Sequence, residues 1–143
     1  MGWQGRGLIY APPLDESWKH QFAMLPTPVV RKNGDLRVFL GFCDPGMVGR
    51  VGYVDVDPYD PSKIRGISKT PVLDIGAPGT FDDNGVVPIS LVSAGDELRL
   101  YYIGFQLGVK VPYFMCCGMA ISADDGDRCT RVSKSPGFDR HDI

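Results

Sequence analysis

Ser68-Lys69-Thr70-Pro71-Val72-Leu73-Asp74 returns late in the chain as Ser133-Lys134-Ser135-Pro136-Gly137-Phe138-Asp139. The parallel continues between these anchors. Leu36-Arg37-Val38-Phe39-Leu40-Gly41-Phe42 is echoed by Leu98-Arg99-Leu100-Tyr101-Tyr102-Ile103-Gly104-Phe105, with one residue inserted. Gly52-Tyr53-Val54-Asp55-Val56-Asp57 is echoed by Gly118-Met119-Ala120-Ile121-Ser122-Ala123-Asp124. A repeat of roughly 60 residues with several strands per copy is the pattern of propeller blades. One such unit cannot bury its apolar face alone, and only two copies are present.

The strands follow from apolar runs bounded by turn residues. The first unit predicts strands near Thr27–Lys32, Leu36–Phe42, Arg50–Asp57 and Ile64–Val72. The second predicts Val86–Val92, Leu98–Gln106, Phe114–Ala123 and Thr130–Ser133. Asn33-Gly34-Asp35 has the composition of a hairpin turn, and Asp57-Pro58-Tyr59-Asp60-Pro61 forbids strand continuation. No segment shows a helical period with caps. The expected fold is all-β: two four-stranded antiparallel propeller-type blades, an incomplete propeller. Residues 1–22 read as an N-terminal extension, 23–74 as the first blade and 75–143 as the second. Leu100 to Gly104 and Met115 to Ile121 are apolar enough to predict strands buried on both faces.

Composition narrows the function classes. The 143 residues carry a formal charge of -2, which argues against a general polyanion or nucleic-acid binder. No stretch approaches the length of a membrane span, and Met1 to Tyr10 holds no apolar run of signal-peptide length. Cys43, Cys116, Cys117 and Cys129 show no C-x-x-C spacing, and His20 and His141 are far apart. A zinc site is not expected, and reduced cysteines in a cytoplasmic protein are the simpler reading. Asp124-Asp125-Gly126-Asp127 lacks the spaced ligand set of a calcium loop and is expected to be a plain turn.

Several segments together resemble a known group. They are Gly79-Thr80-Phe81-Asp82-Asp83-Asn84-Gly85-Val86, Tyr101-Tyr102-Ile103-Gly104-Phe105, Val111-Pro112-Tyr113, Gly118-Met119-Ala120-Ile121-Ser122, and Trp18 followed by Ala23 and Pro26-Thr27-Pro28. The chain resembles the five-bladed β-propeller superfamily of glycoside-active proteins: arabinanases, β-xylosidases, invertase-like enzymes and mannoside phosphorylases. The nearest likeness is to uncharacterised predicted glycosidases.

The resemblance implies carboxylates around the propeller mouth. Glycosyl transfer needs one acid to protonate the leaving oxygen and a second carboxylate to activate water or attack carbon. The corresponding positions here are Asp44, Asp82 and Asp83. Trp18 and Tyr113 are candidate sugar-stacking platforms, with His20 a further contact; Phe105 reads as core. Two departures stand out: Phe22 where such relatives carry His, and Cys43-Asp44 where they carry Arg-Asp. The later blade that supplies the general acid has no counterpart. The expected function is therefore carbohydrate binding or glycoside processing with an incomplete active site in one chain. The alternative is a non-catalytic, self-assembling structural or interaction module. No cofactor is expected. The expected partners are sister chains in a homo-oligomer and a sugar or glycan.

Overall fold

The computed structural model describes residues 2, 3, 5 and 7–137. Phe138 and Asp139 of the second repeat copy, His141, and the predicted end of the second unit lie outside the described residues.

Eight strands form: β1 (Gln21–Val30), β2 (Leu36–Cys43), β3 (Gly49–Val56), β4 (Ile64–Ile67), β5 (Val86–Ala94), β6 (Glu97–Leu107), β7 (Tyr113–Ser122) and β8 (Thr130–Arg131). They make two four-stranded antiparallel sheets, each in chain order, with no helix among the described residues. This is the all-β, two-blade architecture that the repeat predicts. No helix of the described residues is long and apolar enough to cross a membrane.

The turns follow local chemistry. Gly34 sits at φ 89, donates to the Arg31 carbonyl at 2.9 Å, and is flanked by Asn33 Oδ1 accepting from the Asp35 amide. β1 starts six residues before its predicted Thr27. Phe22 and Leu25 adopt positive φ values of 64 and 52, and the register shifts on both sides of Met24. These bulges let a proline-rich edge strand continue where sequence pattern alone ends it. β4 is shorter than predicted, but the chain beyond it stays on β3: Val72 donates to Val51 O at 2.8 Å.

The sheets pack face to face. Phe39 and Val51 of the first sheet meet Leu98, Leu100, Tyr102 and Ala120 of the second in one buried cluster. The opposite face of the first sheet has its own cluster, Leu40, Phe42, Val54 and Val56, against which Tyr10 and Trp18 pack. β2 and β3 are thus covered on both sides. β6 and β7 are not, which corrects the expectation of doubly buried strands there. Leu100 and Tyr102 are inaccessible, yet Met115 is 64% exposed. Among the described residues only one face of the second sheet is covered.

The ladder registers superimpose the two units residue by residue. Leu36 opposes Val56 as Leu98 opposes Ser122, and Leu40 opposes Gly52 as Tyr102 opposes Gly118. No insertion is needed within the strands, so the sequence match that aligned Gly41 with Gly104 is one residue out of register. The two glycines serve the same purpose. A Cβ on Gly52 would meet Trp18 at 2.5 Å, and one on Gly118 would meet Phe81 at 2.7 Å. Trp18 therefore caps the first sheet as Phe81 caps the second.

A buried ionic cluster crosses between the sheets. Arg37, on β2, is inaccessible to solvent and grips Asp55 with two bonds of 2.7 Å. Its guanidinium lies 3.4 Å from the Tyr53 ring centroid and also reaches Asp127 at 2.7 Å. Arg31 adds bonds to Asp55 and Asp125. The Asp124–Asp127 loop, expected to be a plain turn, is an inter-sheet clamp. Asp125 and Asp127 are held by arginines, and Asp124 by Ser122 and the Asp127 and Arg128 amides.

Candidate functional site

The entry ends of β1 and β5, the end of β2 and the start of β7 meet at one end of the sandwich. Between them lies a cleft of ≈ 170 Å³ lined by Met24, Cys43, Met47, Gly49, Asn84, Val87, Phe105 and Tyr113. The bulge around Met24 turns it into this cleft. Gly85 sits at φ 146, and a Cβ there would come within 3.3 Å of the Gly49 amide nitrogen. The Asn84 amide donates to Phe105 O, and the Phe105 amide to Gly85 O, both at 2.9 Å, which ties the β5 entry to the end of β6. Tyr113 stands edge-on to Phe105, with ring centroids 5.7 Å apart, and is 43% exposed. The pair offers an aromatic wall at the mouth.

Asp44 lies one residue beyond Cys43, in the turn that closes β2. Its Oδ1 accepts from the Val48 amide at 3.0 Å and its Oδ2 from Arg50 at 2.7 Å. Arg50 also binds Asp74 at 2.8 Å. Burial pushes the Asp44 carboxyl up, but the Val48 and Arg50 bonds outweigh it and hold the group below the usual carboxylate range. Asp44 is a fixed anion. It suits the role of a base or a hydroxyl acceptor, and not that of a proton donor.

Asp82 is fully buried. Thr80 Oγ1 donates to its Oδ1 at 2.9 Å; Tyr102 OH and Arg131 Nε donate to its Oδ2 at 3.0 and 2.6 Å. Both oxygens are engaged beneath the loop, away from the cleft. Asp83 accepts from the Gly79 amide at 2.7 Å in the same loop and lines a shallow groove with Asn84, Gln106 and Leu107. That groove runs on to a wider one lined by Thr80, Gln106, Phe114, Lys134 and Ser135.

The other sequence-predicted residues lie elsewhere. Trp18 packs edge-on to Phe42 at 5.6 Å and donates to Lys69 O at 3.2 Å, on the far face of the first sheet. His20 Nδ1 contacts the Asp15 carbonyl within the N-terminal loop. Of the sequence-predicted residues Tyr113 lines the cleft, and Asp44 lies in the turn between two of its lining residues, Cys43 and Met47; Asp83 lines the neighbouring groove and Asp82 is buried beneath the loop. Asn84 and Phe105 line the cleft without having been singled out as site residues. The Asp-Asp-Asn-Gly run carried a signal for Asn84. Phe105 carried a weak one, as a possible stacking aromatic that reads more readily as core. Among the described residues no group of three or more His, Cys, Asp or Glu is placed to hold a metal ion.

No protein-family model matches the chain. It is 38% identical over 122 residues to the uncharacterized proteins MT1551 and Rv1502 of Mycobacterium tuberculosis (strains CDC 1551 / Oshkosh and ATCC 25618 / H37Rv). Each match covers 85% of this chain and 41% of the relative, so the chain spans less than half the length of these curated relatives. Among solved structures it is similar to Zg3597, a family 117 glycoside hydrolase produced by the marine bacterium Zobellia galactanivorans. The TM-score is 0.66 at 19% identity, covering 88% of this chain and 36% of that one. The chain has a glycosidase-like fold.

Proposed function

We propose that the chain supplies a carbohydrate-binding mouth within a glycosidase-like fold. The observation that carries the reading is the cleft at the entry of β1 and β5. There Tyr113 and Phe105 form an aromatic wall beside Asn84, and the fixed anion Asp44 lies in the turn between the lining residues Cys43 and Met47. An aromatic face suits the C–H face of a pyranose, and a carboxylate accepts from its hydroxyls. Likeness to a glycoside hydrolase fold adds support.

Hydrolysis requires a second, protonated carboxyl across the scissile bond. Asp82 is locked by Arg131, Tyr102 and Thr80, which favours binding without turnover from the two sheets alone. Asp44 then serves as hydroxyl acceptor, and any proton donor comes from outside the described residues. The same locking of Asp82 favours the second reading, a non-catalytic module in which these acids are purely structural.

Calorimetric titration with a panel of neutral and acidic oligosaccharides separates the readings. Binding that weakens about 10-fold or more in Asp44→Asn and in Tyr113→Ala supports the mouth, as loss of a charged hydrogen bond costs about 1.5–3 kcal/mol. Heat that is unchanged in both variants, or no heat with any member of the panel, favours the structural module. Release of reducing ends by the wild type would show turnover.

A further inference from the structure

We infer that the first-sheet wall of the cleft is a soft-metal site, which takes one copper(I) ion on the sulfurs of Met24, Cys43 and Met47. All three residues line the cleft of ≈ 170 Å³, and all three come from β1, β2 or the turn that closes β2. Asn84, Phe105 and Tyr113 belong to the opposite wall. The cleft thus has a sulfur side and an aromatic side. The inference does not depend on the sugar reading.

Separate features bring the sulfurs together. In the β1–β2 ladder Cys43 pairs with Gln21, and Gln21 Nε2 donates to Met47 Sδ at 3.0 Å. Met24 pairs with Gly41, two residues before Cys43 on β2, so strand alternation puts Met24 and Cys43 on one face. The backbone adds an independent sign. Phe22 and Leu25, on either side of Met24, hold φ values of 64 and 52, and Met47 itself holds 65. Such values are costly for bulky side chains and gather where a site demands them. A methionine that only filled space would need no such backbone, since its side chain is flexible. Cys43 is 5% exposed and Met47 53%, so the thiol forms the floor of the site and Met47 its rim.

The ligand chemistry selects the metal. Thiolate and thioether sulfur prefer soft cations, and no histidine or carboxylate lines the cleft among the described residues. The nearest acid in sequence, Asp44, already accepts from Val48 and Arg50. Calcium and magnesium require oxygen ligands, and structural zinc takes four ligands from thiolate, imidazole and carboxylate. Charge points the same way. One thiolate and one monovalent cation make a neutral unit, whereas a divalent ion would leave a net charge in an apolar cleft. On binding, the Cys43 S–H bond breaks, a copper–sulfur bond forms and the proton leaves to solvent. Copper stays in the +1 state throughout. One proton is released per ion, so affinity rises with pH.

Anaerobic titration of the reduced 143-residue chain with copper(I), in competition with a colorimetric copper(I) chelator, tests it, with the methionine methyl groups followed by NMR. The chain holds an internal rival: Met115, Cys117 and Met119 alternate along β7 and so share its other face. The wild type is expected to retain about one equivalent, the capacity of a single three-sulfur site. The methyl signals of Met24 and Met47 are expected to shift while those of Met115 and Met119 stay in place. Met24→Leu and Met47→Leu keep side-chain volume, so the fold survives, and each is expected to weaken retention about 10-fold or more. Cys43→Ser is expected to abolish retention and Cys117→Ser to leave it unchanged. No retained copper, retention unaltered in both methionine variants, or methyl shifts at Met115 and Met119 in place of Met24 and Met47 overturns the inference.

Discussion

Arg37 on the first sheet bonds Asp127 in the β7–β8 loop of the second at 2.7 Å, from a side chain with 1% exposure. The same guanidinium holds Asp55 at 2.7 Å, so one buried cation serves an acid from each sheet. The two repeats are joined by this cation as well as by apolar packing.

Removing that cation leaves Asp55 buried with only Arg31 as a partner among the described residues, at 3.3 Å. Arg37→Met is expected to lower stability by about 3–5 kcal/mol, the usual cost of breaking one side of a buried pair. Arg65→Met, which removes an exposed pair with Asp57, is expected to cost less than about 1 kcal/mol. Urea unfolding of both variants checks the contrast; equal losses would remove the special standing of Arg37.

Acid should unfold the protein through its fixed carboxylates. Asp44 and Asp124 are each partly buried, which raises their pKa values, but hydrogen bonds outweigh burial and hold both below the ordinary 3.8. For Asp124 the bonds come from the Arg128 and Asp127 amides and from Ser122. A depressed folded-state pKa contributes stability that is fully present above the unfolded value. That stability is lost as pH falls through the folded value. Stability is expected to be flat from these two groups above about pH 5 and to fall below about pH 4. Asp124→Asn should flatten the acid limb of a melting-temperature profile; an unaltered limb would show that Asp124 does not carry it.

The cysteines should differ in reactivity. Burial, reinforced by Asp124 and opposed by Arg37, pushes the Cys129 thiol up to about 12. Burial also raises Cys43, aided by Asp44 against Arg50. The thiolate is the reactive form, so both should resist alkylation at pH 8. Iodoacetamide labelling read by peptide mass spectrometry is expected to modify Cys117 before Cys43 or Cys129. Early modification of Cys129 in the native protein would contradict its burial.

Gly118 permits the close stacking of Phe81 on Tyr102, whose rings lie 5.9 Å apart. A Cβ there would come within 2.4 Å of Tyr102 and 2.7 Å of Phe81. Gly118→Ala is expected to destabilise by about 1–3 kcal/mol through overpacking. Gly52→Ala should do the same by displacing Trp18, since the two glycines hold one ladder position. Thermal unfolding of both variants tests the equivalence; a neutral Gly118→Ala would refute it.

The repeat made both sheets legible because β2, β3, β6 and β7 keep one pattern of apolar alternation. The entry of β1 was not legible, because two non-glycine residues at positive φ break that alternation. Trp18 read as a sugar platform because a tryptophan before a strand fits stacking as well as packing. Only Gly52, which makes room for the indole, tells them apart, and that pairing is non-local. The Asp124–Asp127 loop read as a turn because its partners, Arg31 and Arg37, lie far away in sequence. At the mouth, Asp44 and Tyr113 were legible as residue types in suggestive turns. The cleft that Tyr113 shares with Asn84 and Phe105, beside the turn that holds Asp44, depends on how the two sheets meet.

The mouth is tested most directly by an amide and methyl NMR titration of the wild-type chain with the best-binding oligosaccharide. The account predicts saturable shifts confined to Met24, Met47, Asn84, Phe105 and Tyr113, with Asp44 close behind. Shifts centred on Trp18 and the outer face of the first sheet, or none at ligand concentrations up to about 10 mM, weaker than any specific site of practical affinity, would contradict it.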